Sequence, residues 1–164
     1  MAGCRLILGM ISGNTDVMNR AEKLLESRFG PSILRSETIP FDFTRYYEPE
    51  MGTGLLRQWL ASSLQPEPDQ LAQIKHTTIG LERELCDDQG RRQVNLDPGL
   101  LSAHNLVLAT TKAHAHRISI GTGIWAELTL IYRHGAYQPL DWTYPDYRTR
   151  TCLDFLAACR ATLV

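Results

Sequence analysis

The chain has 164 residues, of which 43% are hydrophobic and 21% charged, with 17 Lys and Arg against 18 Asp and Glu. These values predict one globular domain over residues 1–164, and no stretch is apolar enough for a membrane helix or a secretory signal. A net charge of −1 lacks the excess of Lys and Arg that nucleic-acid binding commonly uses. We therefore expect a cytoplasmic protein with neither a membrane nor a nucleic acid as partner.

The chain begins with a predicted strand and helix. Residues 4–11 form an apolar run that predicts a buried strand, and Ser12-Gly13-Asn14 then forms a turn. Apolar side chains recur at helical spacing over Thr15 to Phe29, and Gly30-Pro31 ends this helix.

The next segments are less regular. Residues 33–43 include a proline and predict an irregular or edge strand, and residues 44–54 predict a loop. Residues 55–64 fit a strand centred on Trp59 or a short helix, and we favour the strand. A second helix begins after Pro66 and ends near Cys86, with an inward stripe formed by Leu71, Ile74, Thr78, Leu81 and Leu85.

Further strands are predicted in the second half. Residues 92–96 predict a strand that Asp97-Pro98-Gly99 stops in a turn, and residues 106–111 predict a buried strand. Residues 116–120, 124–132 and 136–140 flank short turns and predict a three-stranded antiparallel meander. Its period of two gathers the apolar side chains Ile118, Ile120, Ile124, Ala126, Leu128 and Leu130 on one face.

The last elements complete the predicted fold. A polar and aromatic loop over residues 141–148 leads to a final helix with the inward side chains Cys152, Phe155, Leu156, Cys159 and Leu163. The first six elements have the β-α-β-β-α-β order of a ferredoxin-like unit, and the meander would extend its sheet. The predicted class is α+β, with a mainly antiparallel sheet covered by about three helices.

The four cysteines predict neither a disulfide nor a zinc site. No CxxC spacing occurs, and Cys152 and Cys159 are separated by about 10 Å along one predicted helix, which exceeds the reach of a disulfide. Four reduced and mostly packed thiols are therefore expected.

The turn after the first strand is a candidate phosphate site. Ser12-Gly13-Asn14-Thr15 precedes a helix, whose first N–H groups can bind an anion. It resembles the phosphate loop of flavodoxins, which bind FMN, over only about four residues, and the flavodoxin reading stays an alternative. We favour a helix cap in which Asn14 or Thr15 accepts the first N–H bonds.

The richest polar stretch is Lys112 to Arg117. If the turn of the meander has three residues, Ile120 pairs with Ile124 and Arg117 lies opposite Glu127 as a cross-strand ion pair. His116 would then point to the opposite, apolar face of the strand.

The histidines give two further hypotheses. His76 lies in a phosphoesterase-like His-Thr-Thr sequence, but its helical phase turns it to solvent. His114 and His116 could share a metal only if His114 lies in a loop, with a third ligand from His104, Asp97 or Glu127. We predict no metal site.

Two loops, residues 42–50 and 142–148, combine aromatic rings with charged groups. In a ligand pocket, rings supply contact area and charges fix orientation. The same composition also suits loops that pack on the sheet or an exposed patch that binds a protein. No Walker loop, GxSxG or HExxH motif occurs.

Several longer motifs resemble one family. Together they make the chain similar to the mainly bacterial family catalogued as domain of unknown function 4416, which has no established reaction. The motifs include Phe29-Gly30-Pro31, Pro40-Phe41-Asp42-Phe43-Thr44, Val94-Asn95-Leu96-Asp97-Pro98-Gly99, Gly123-Ile124-Trp125-Ala126-Glu127 and Trp142-Thr143-Tyr144-Pro145-Asp146-Tyr147-Arg148. The resemblance implies that their polar residues form a group at loops and strand ends, where function commonly lies.

We predict an enzyme or binder for a small anion, such as a phosphate-bearing or nucleotide ligand. The predicted catalytic residues are His116 as acid–base group, with Glu127 and Asp97. The predicted ligand-binding residues are Lys112, Arg117, Arg148, Asp42, Tyr46, Tyr47, Asn95, Tyr144 and Asp146. The alternative is a non-catalytic protein-interaction domain with exposed aromatic loops. Cofactor, oligomeric state and the presence of catalysis stay open.

The charges are unevenly distributed. Residues 1–90 hold 9 Lys and Arg against 13 Asp and Glu, whereas residues 91–164 hold 8 against 5. The predicted site lies mainly in the basic second part, on the meander.

Overall fold

The computed structural model describes residues 3–163, in which nine strands form one sheet and four helices cover it. Residues 1, 2 and 164 of the predicted domain 1–164 lie outside the described residues. The strands are β1 Arg5–Ser12, β2 Ser32–Arg35, β3 Ile39–Pro40, β4 Leu56–Ser62, β5 Asn95–Leu101, β6 Asn105–Thr110, β7 Arg117–Gly121, β8 Ile124–Arg133 and β9 Ala136–Pro139. The helices are α1 Thr15–Phe29, α2 Glu48–Met51, α3 Leu71–Glu84 and α4 Arg150–Arg160.

The strand order is β2-β4-β1-β5-β6-β8-β7, with β3 also paired to β4 and β9 to β8. Every strand pair within residues 3–163 is antiparallel. The predicted α+β class with an antiparallel sheet is confirmed, and the sheet lacks the parallel arrangement of flavodoxins. The ferredoxin-like assignment of the first half stays a prediction.

Helices cover both faces of the sheet. Helices α1 and α3 pack on one face, against side chains that include Leu6 and Met10 of β1. Helix α4 packs on the other face, against a cluster that includes Ile7 and Trp59. All eight residues of β1 are buried, because successive side chains of a strand point to opposite faces and both faces are covered here.

Several local predictions are confirmed. Asn14 Oδ1 accepts hydrogen bonds from the N–H groups of Asp16 and Val17, so the turn after β1 caps helix α1 as predicted. Residues 56–62 form strand β4, and β2 lies at the sheet edge. All four cysteines are free, and His76 is exposed.

Other boundaries differ from the predictions. Residues 33–43 contain parts of two short strands, and the loop over residues 44–54 contains the short helix α2. Helix α4 ends at Arg160, before Leu163. None of the helices within residues 3–163 combines the length and apolar character needed to cross a membrane.

The predicted turn at Asp97-Pro98-Gly99 is wrong, because these residues lie inside β5 and pair with β1. Leu96 directs its backbone N–H and C=O to side chains of α3, away from β1. Backbone groups two residues apart face the same side of a strand, so the nitrogen of Pro98 also faces away from β1. Strand β6 begins to pair only at Gly99, and Pro98 therefore removes no ladder hydrogen bond.

The predicted register of the meander is partly wrong. Arg117 pairs with Glu127 as predicted, but the turn is shorter and Gly121 rather than Ile120 pairs with Ile124. The predicted apolar face is also partly wrong. Ile118 is 73% exposed on the last strand of the sheet, and Ile124 and Leu130 pack on opposite faces, because the pairing of β6 with β8 shifts register between them.

Candidate functional site

The sheet splits between its two middle strands, β5 and β6. These strands pair only over residues 99–101 and 106–108, so the first part of β5 has no strand beside it on this side. Helix α3 supplies the missing partners: Lys75 Nζ donates to Leu96 O at 2.9 Å, and Leu96 N donates to Glu82 Oε1 at 2.7 Å. Buried backbone groups need such partners, which explains two charged side chains on the inner face of α3.

A cavity of about 550 Å³ opens at this split. Three groups of its lining residues contain most of its charged and aromatic side chains. The central wall comprises Arg57, Lys75, Glu82, Arg92, Asn95, Asp97, Asp146 and Tyr147, the meander wall comprises Arg117, Glu127 and Tyr144, and the aromatic rim comprises Phe41, Phe43, Tyr46, Tyr47 and Lys112.

Arg57 is the centre of the central wall and is 1% exposed. Its Nη1 lies 3.0 Å from Asp97 Oδ2, its Nε lies 3.0 Å from Asp146 Oδ2, and its Nη2 donates to the Tyr147 hydroxyl at 2.9 Å. Gly9 of β1 gives the guanidinium its space, because a Cβ there would lie 2.8 Å from Nη2. A buried charge needs such close partners to offset its lost hydration.

Arg92 holds the outer part of the central wall. It binds both carboxylate oxygens of Glu50 at 2.8–3.0 Å and lies 3.4 Å from Glu82 Oε2. Its Nη1 also donates to Asn95 Oδ1 at 3.2 Å, and Asn95 Nδ2 donates to Asp97 Oδ2 at 2.9 Å. These contacts connect the loop before β5 to the bottom of the cavity.

The carboxyl groups of the central wall differ in pKa. Burial disfavours the charged form of each. At Asp97, Arg57 and Lys75 outweigh burial and hold the pKa below its ordinary value. At Asp146 and Glu82, burial outweighs the neighbouring cations and raises the pKa.

The meander wall is a set of mutually bonded groups. Glu127 is 1% exposed, and its Oε2 lies 2.8 Å from both Arg117 Nε and His116 Nε2. Arg117 Nη2 donates to the Tyr144 hydroxyl at 2.7 Å. The His116 ring stacks on Trp142 at 4.8 Å between centroids. The ion pair predicted between Arg117 and Glu127 is thus present.

The predicted orientation of His116 is wrong. This residue lies in the turn before β7, so strand alternation does not apply to it and its ring reaches Glu127. His114 Nδ1 lies 3.1 Å from His116 Nδ1. Within residues 3–163, no three His, Cys, Asp or Glu side chains gather in a metal-binding arrangement.

The aromatic rim surrounds the mouth of the cavity. Phe41 makes edge contacts with Phe43 and Tyr47, and Tyr46 makes one with Tyr47. Lys112 Nζ lies 3.7 Å from the centre of the Tyr46 ring, as a cation–π contact. Burial raises the pKa of Tyr47 and keeps its hydroxyl protonated.

The structure brings together most of the predicted site residues. His116 reaches the cavity only through Glu127, and Asp42 is exposed outside the lining. Arg148 also lies outside, because its guanidinium donates to backbone carbonyls of residues 140, 141 and 143. The nine that line the cavity are Asp97, Glu127, Lys112, Arg117, Tyr46, Tyr47, Asn95, Tyr144 and Asp146.

Sequence reasoning missed much of the central wall. Lys75 and Glu82 are seven residues apart, which places both on the inner face of α3 with the apolar stripe. Arg57 and Trp59 are two residues apart in β4, so their side chains point to the same face of the strand. The sequence did contain a signal for these three residues, because each is a charged side chain at a position whose periodicity faces the core. Arg92 lies in a loop, where no pattern marks it.

The fold and the cavity define an antiparallel α+β domain with a charged pocket at a split in its sheet. The family model of a domain of unknown function, DUF4416, matches residues 2–163, and the chain belongs to this family. No curated protein and no solved structure matches the chain. The resemblance noted in the sequence is confirmed.

Proposed function

We propose that the cavity binds a small organic anion. The observation that carries this proposal is a pair of lysines, Lys75 and Lys112, which both line the cavity. Within residues 3–163, neither ammonium group has an Asp or Glu oxygen within 4.0 Å. A ligand with a carboxylate or phosphate group would supply the missing counter-charge.

The pairing of charges around the cavity supports an anion over a cation. The lining holds five Lys and Arg side chains and four Asp and Glu side chains. The three arginines are within 4.0 Å of carboxylates, so their charge is already compensated. Lys112 has no carboxylate oxygen within 4.0 Å, and the charge of Lys75 acts on Asp97 and Glu82 only from beyond that distance, where it favours the charged form of both.

The shape of the site favours a small molecule over a protein partner. Its volume of about 550 Å³ lies in the range of ligand pockets. The exposed rings of Phe43, Tyr46 and Tyr144 line this cavity. A protein-interaction surface would instead present such rings on a flat face. His116 acts through Glu127 and is therefore a positioning residue in this proposal.

Thermal denaturation of the full chain tests the proposal. The ligands are inorganic phosphate, sugar phosphates, nucleoside monophosphates and short carboxylates, each compared with a neutral analogue. Binding at a concentration 100 times Kd stabilises a protein by about 2.7 kcal/mol, which raises Tm by roughly 5 to 10 °C at this chain length. We expect such a shift for at least one anion and not for its analogue.

Two matched variants locate the binding. Lys112→Met should reduce the shift, whereas Lys23→Met, on the exposed surface of α1, should not. The proposal is overturned if no anion exceeds its neutral analogue, or if both variants respond like the unmodified chain.

A further inference from the structure

We propose that Lys75 is a nucleophile that forms an imine with the carbonyl carbon of an anionic aldehyde or ketone. This inference rests on the proposed function, because the same cavity would hold the anion. It adds the chemical class of the ligand and a covalent step.

The choice of cations in the sequence gives the first argument. The chain has only three lysines, Lys23, Lys75 and Lys112, among its 17 Lys and Arg residues, and two of the three line the cavity. Arginine stays charged in proteins, whereas lysine can lose its proton and react. A chain that uses arginine for most of its cations therefore places its reactive amines mainly at this site.

The position of Lys75 gives the second argument. The residue is 7% exposed, and α3 holds it against the split in the sheet. Its Nζ donates to Leu96 O at 2.9 Å, which is its one hydrogen bond to the described residues. An ammonium group has three donors, so this bond fixes the nitrogen and leaves it open to a ligand in the cavity.

The neighbouring carboxyl groups can move the protons that the step requires. Glu82 binds the N–H of Leu96, whose C=O binds Lys75, so both side chains approach the same residue from α3. Asp97 lies on the same wall of the cavity. Positioned carboxyl groups are among the side chains that act as general acids and bases.

The reaction balances without a further reactant. The Lys75 ammonium group first releases one proton to solvent, so that the bound anion then depends on Lys112 for its counter-charge. The neutral amine nitrogen attacks the carbonyl carbon, and the carbonyl π electrons move to oxygen. The two hydrogens of the amine then leave with this oxygen as water, and a carbon–nitrogen double bond remains. Lys112 at the rim would bind the anionic group of the same molecule.

Reductive trapping on the full chain tests this step. The protein is mixed with glyoxylate, a small anionic aldehyde, and with cyanoborohydride, which reduces an imine to a stable secondary amine. Peptide mass mapping then quantifies the adduct on each of the three lysines. We expect the adduct on Lys75 to exceed that on the exposed Lys23 by about tenfold, because a bound carbonyl group is held close to the amine.

Variants separate a reacting lysine from one that only bonds the backbone. Lys75→Arg keeps a donor for Leu96 O, so it should remain folded with a similar Tm and lose the adduct. Lys112→Met should lower trapping of glyoxylate on Lys75 and leave trapping of neutral acetaldehyde unchanged. Inorganic phosphate should compete with glyoxylate for the cavity and lower the adduct on Lys75.

The outcomes distinguish the two proposals. If anions raise Tm and depend on Lys112, but Lys75 is labelled no faster than Lys23, the nucleophile is overturned and anion binding stands. If Lys75 is labelled equally by glyoxylate and acetaldehyde and no anion raises Tm, anion binding is overturned and the reactive amine stands. If neither labelling nor a Tm shift occurs, both are overturned.

Discussion

The central wall and the meander wall differ in the partners that their buried charged groups have. On the meander wall, Arg117 binds both Glu127 and Tyr144, and His116 contacts Glu127 from outside the lining. On the central wall, Arg57 binds two carboxylates, but Lys75 binds only a backbone carbonyl. An ammonium group with no carboxylate oxygen within 4.0 Å can still bind an anionic ligand directly.

The two walls also differ in how the chain builds them. The ion pair of the meander wall joins neighbouring strands of one hairpin, ten residues apart in sequence. Contacts of the central wall join residues 40 and 90 positions apart, because β4, β5 and the turn at Tyr147 meet there. The central wall therefore depends on the whole sheet, and its disruption should cost more stability.

The largest expected effect is the replacement of Arg57. Arg57→Ala leaves Asp97 and Asp146 without their cation and should reduce the free energy of unfolding by about 3 to 5 kcal/mol. Arg117→Ala should cost less, because His116 still contacts the same oxygen of Glu127. Urea denaturation of both variants measures the difference, and an equal or larger cost for Arg117→Ala would contradict it.

A smaller effect is expected from Gly9, which lies beneath the guanidinium of Arg57. Gly9→Ala would place a methyl carbon 2.8 Å from Arg57 Nη2, and such overpacking should cost about 1 to 3 kcal/mol. Gly80→Ala is the matched control, because nothing lies within 4 Å of its new carbon among the described residues and alanine favours a helix. The control should be neutral or stabilising in the same urea assay. A neutral Gly9→Ala would show that Arg57 can move.

The difference between the walls also explains how far the sequence could predict this molecule. Helices α1 and α3, the meander and the pairing of Arg117 with Glu127 follow from periodicity and turn residues over short distances. The turn of the meander was one residue shorter than expected, which changed the partner of Ile124. Local patterns thus predicted elements better than their exact ends.

The split between β5 and β6 could not be predicted from a local pattern. The segment Asp97-Pro98-Gly99 has turn-forming residues, yet it remains extended because β1 pairs with it and α3 replaces β6. The cavity exists because of this split. The sequence therefore indicated the dense charges of the meander and missed Lys75, whose role depends on a gap between distant strands.

A still smaller effect is expected on the meander wall. Glu127→Gln keeps the shape of the side chain and removes the charge that contacts Arg117 and His116. We expect a loss of about 1 to 2 kcal/mol in urea denaturation. Asp154→Asn, in the exposed pair of Arg150 and Asp154 on α4, is a control that should change stability by at most about 0.5 kcal/mol. Equal effects for the two variants would mean that the charge of Glu127 adds no more to stability than an exposed ion pair does.

The smallest expected effect concerns Asp97 and Asp146, the two carboxylates of the central wall that Arg57 contacts. The pKa of Asp97 is held below 3.8, so its charged form stabilises the fold above that pH, and this contribution disappears as the pH falls through the lowered pKa. The pKa of Asp146 is raised above 3.8, so its contribution has the opposite sign and declines as the pH rises through the raised pKa.

Unfolding free energies measured by urea denaturation from about pH 3 to 7 separate these signs. The stability of the unmodified chain relative to Asp97→Asn should shrink as the pH falls. Its stability relative to Asp146→Asn should grow over the same range, because the protonated form of Asp146 suits the buried site better. Parallel pH profiles for the two variants would contradict the assignment. Opposite slopes would establish that burial and the charge of Arg57 shift the pKa values of these two carboxyl groups in opposite directions.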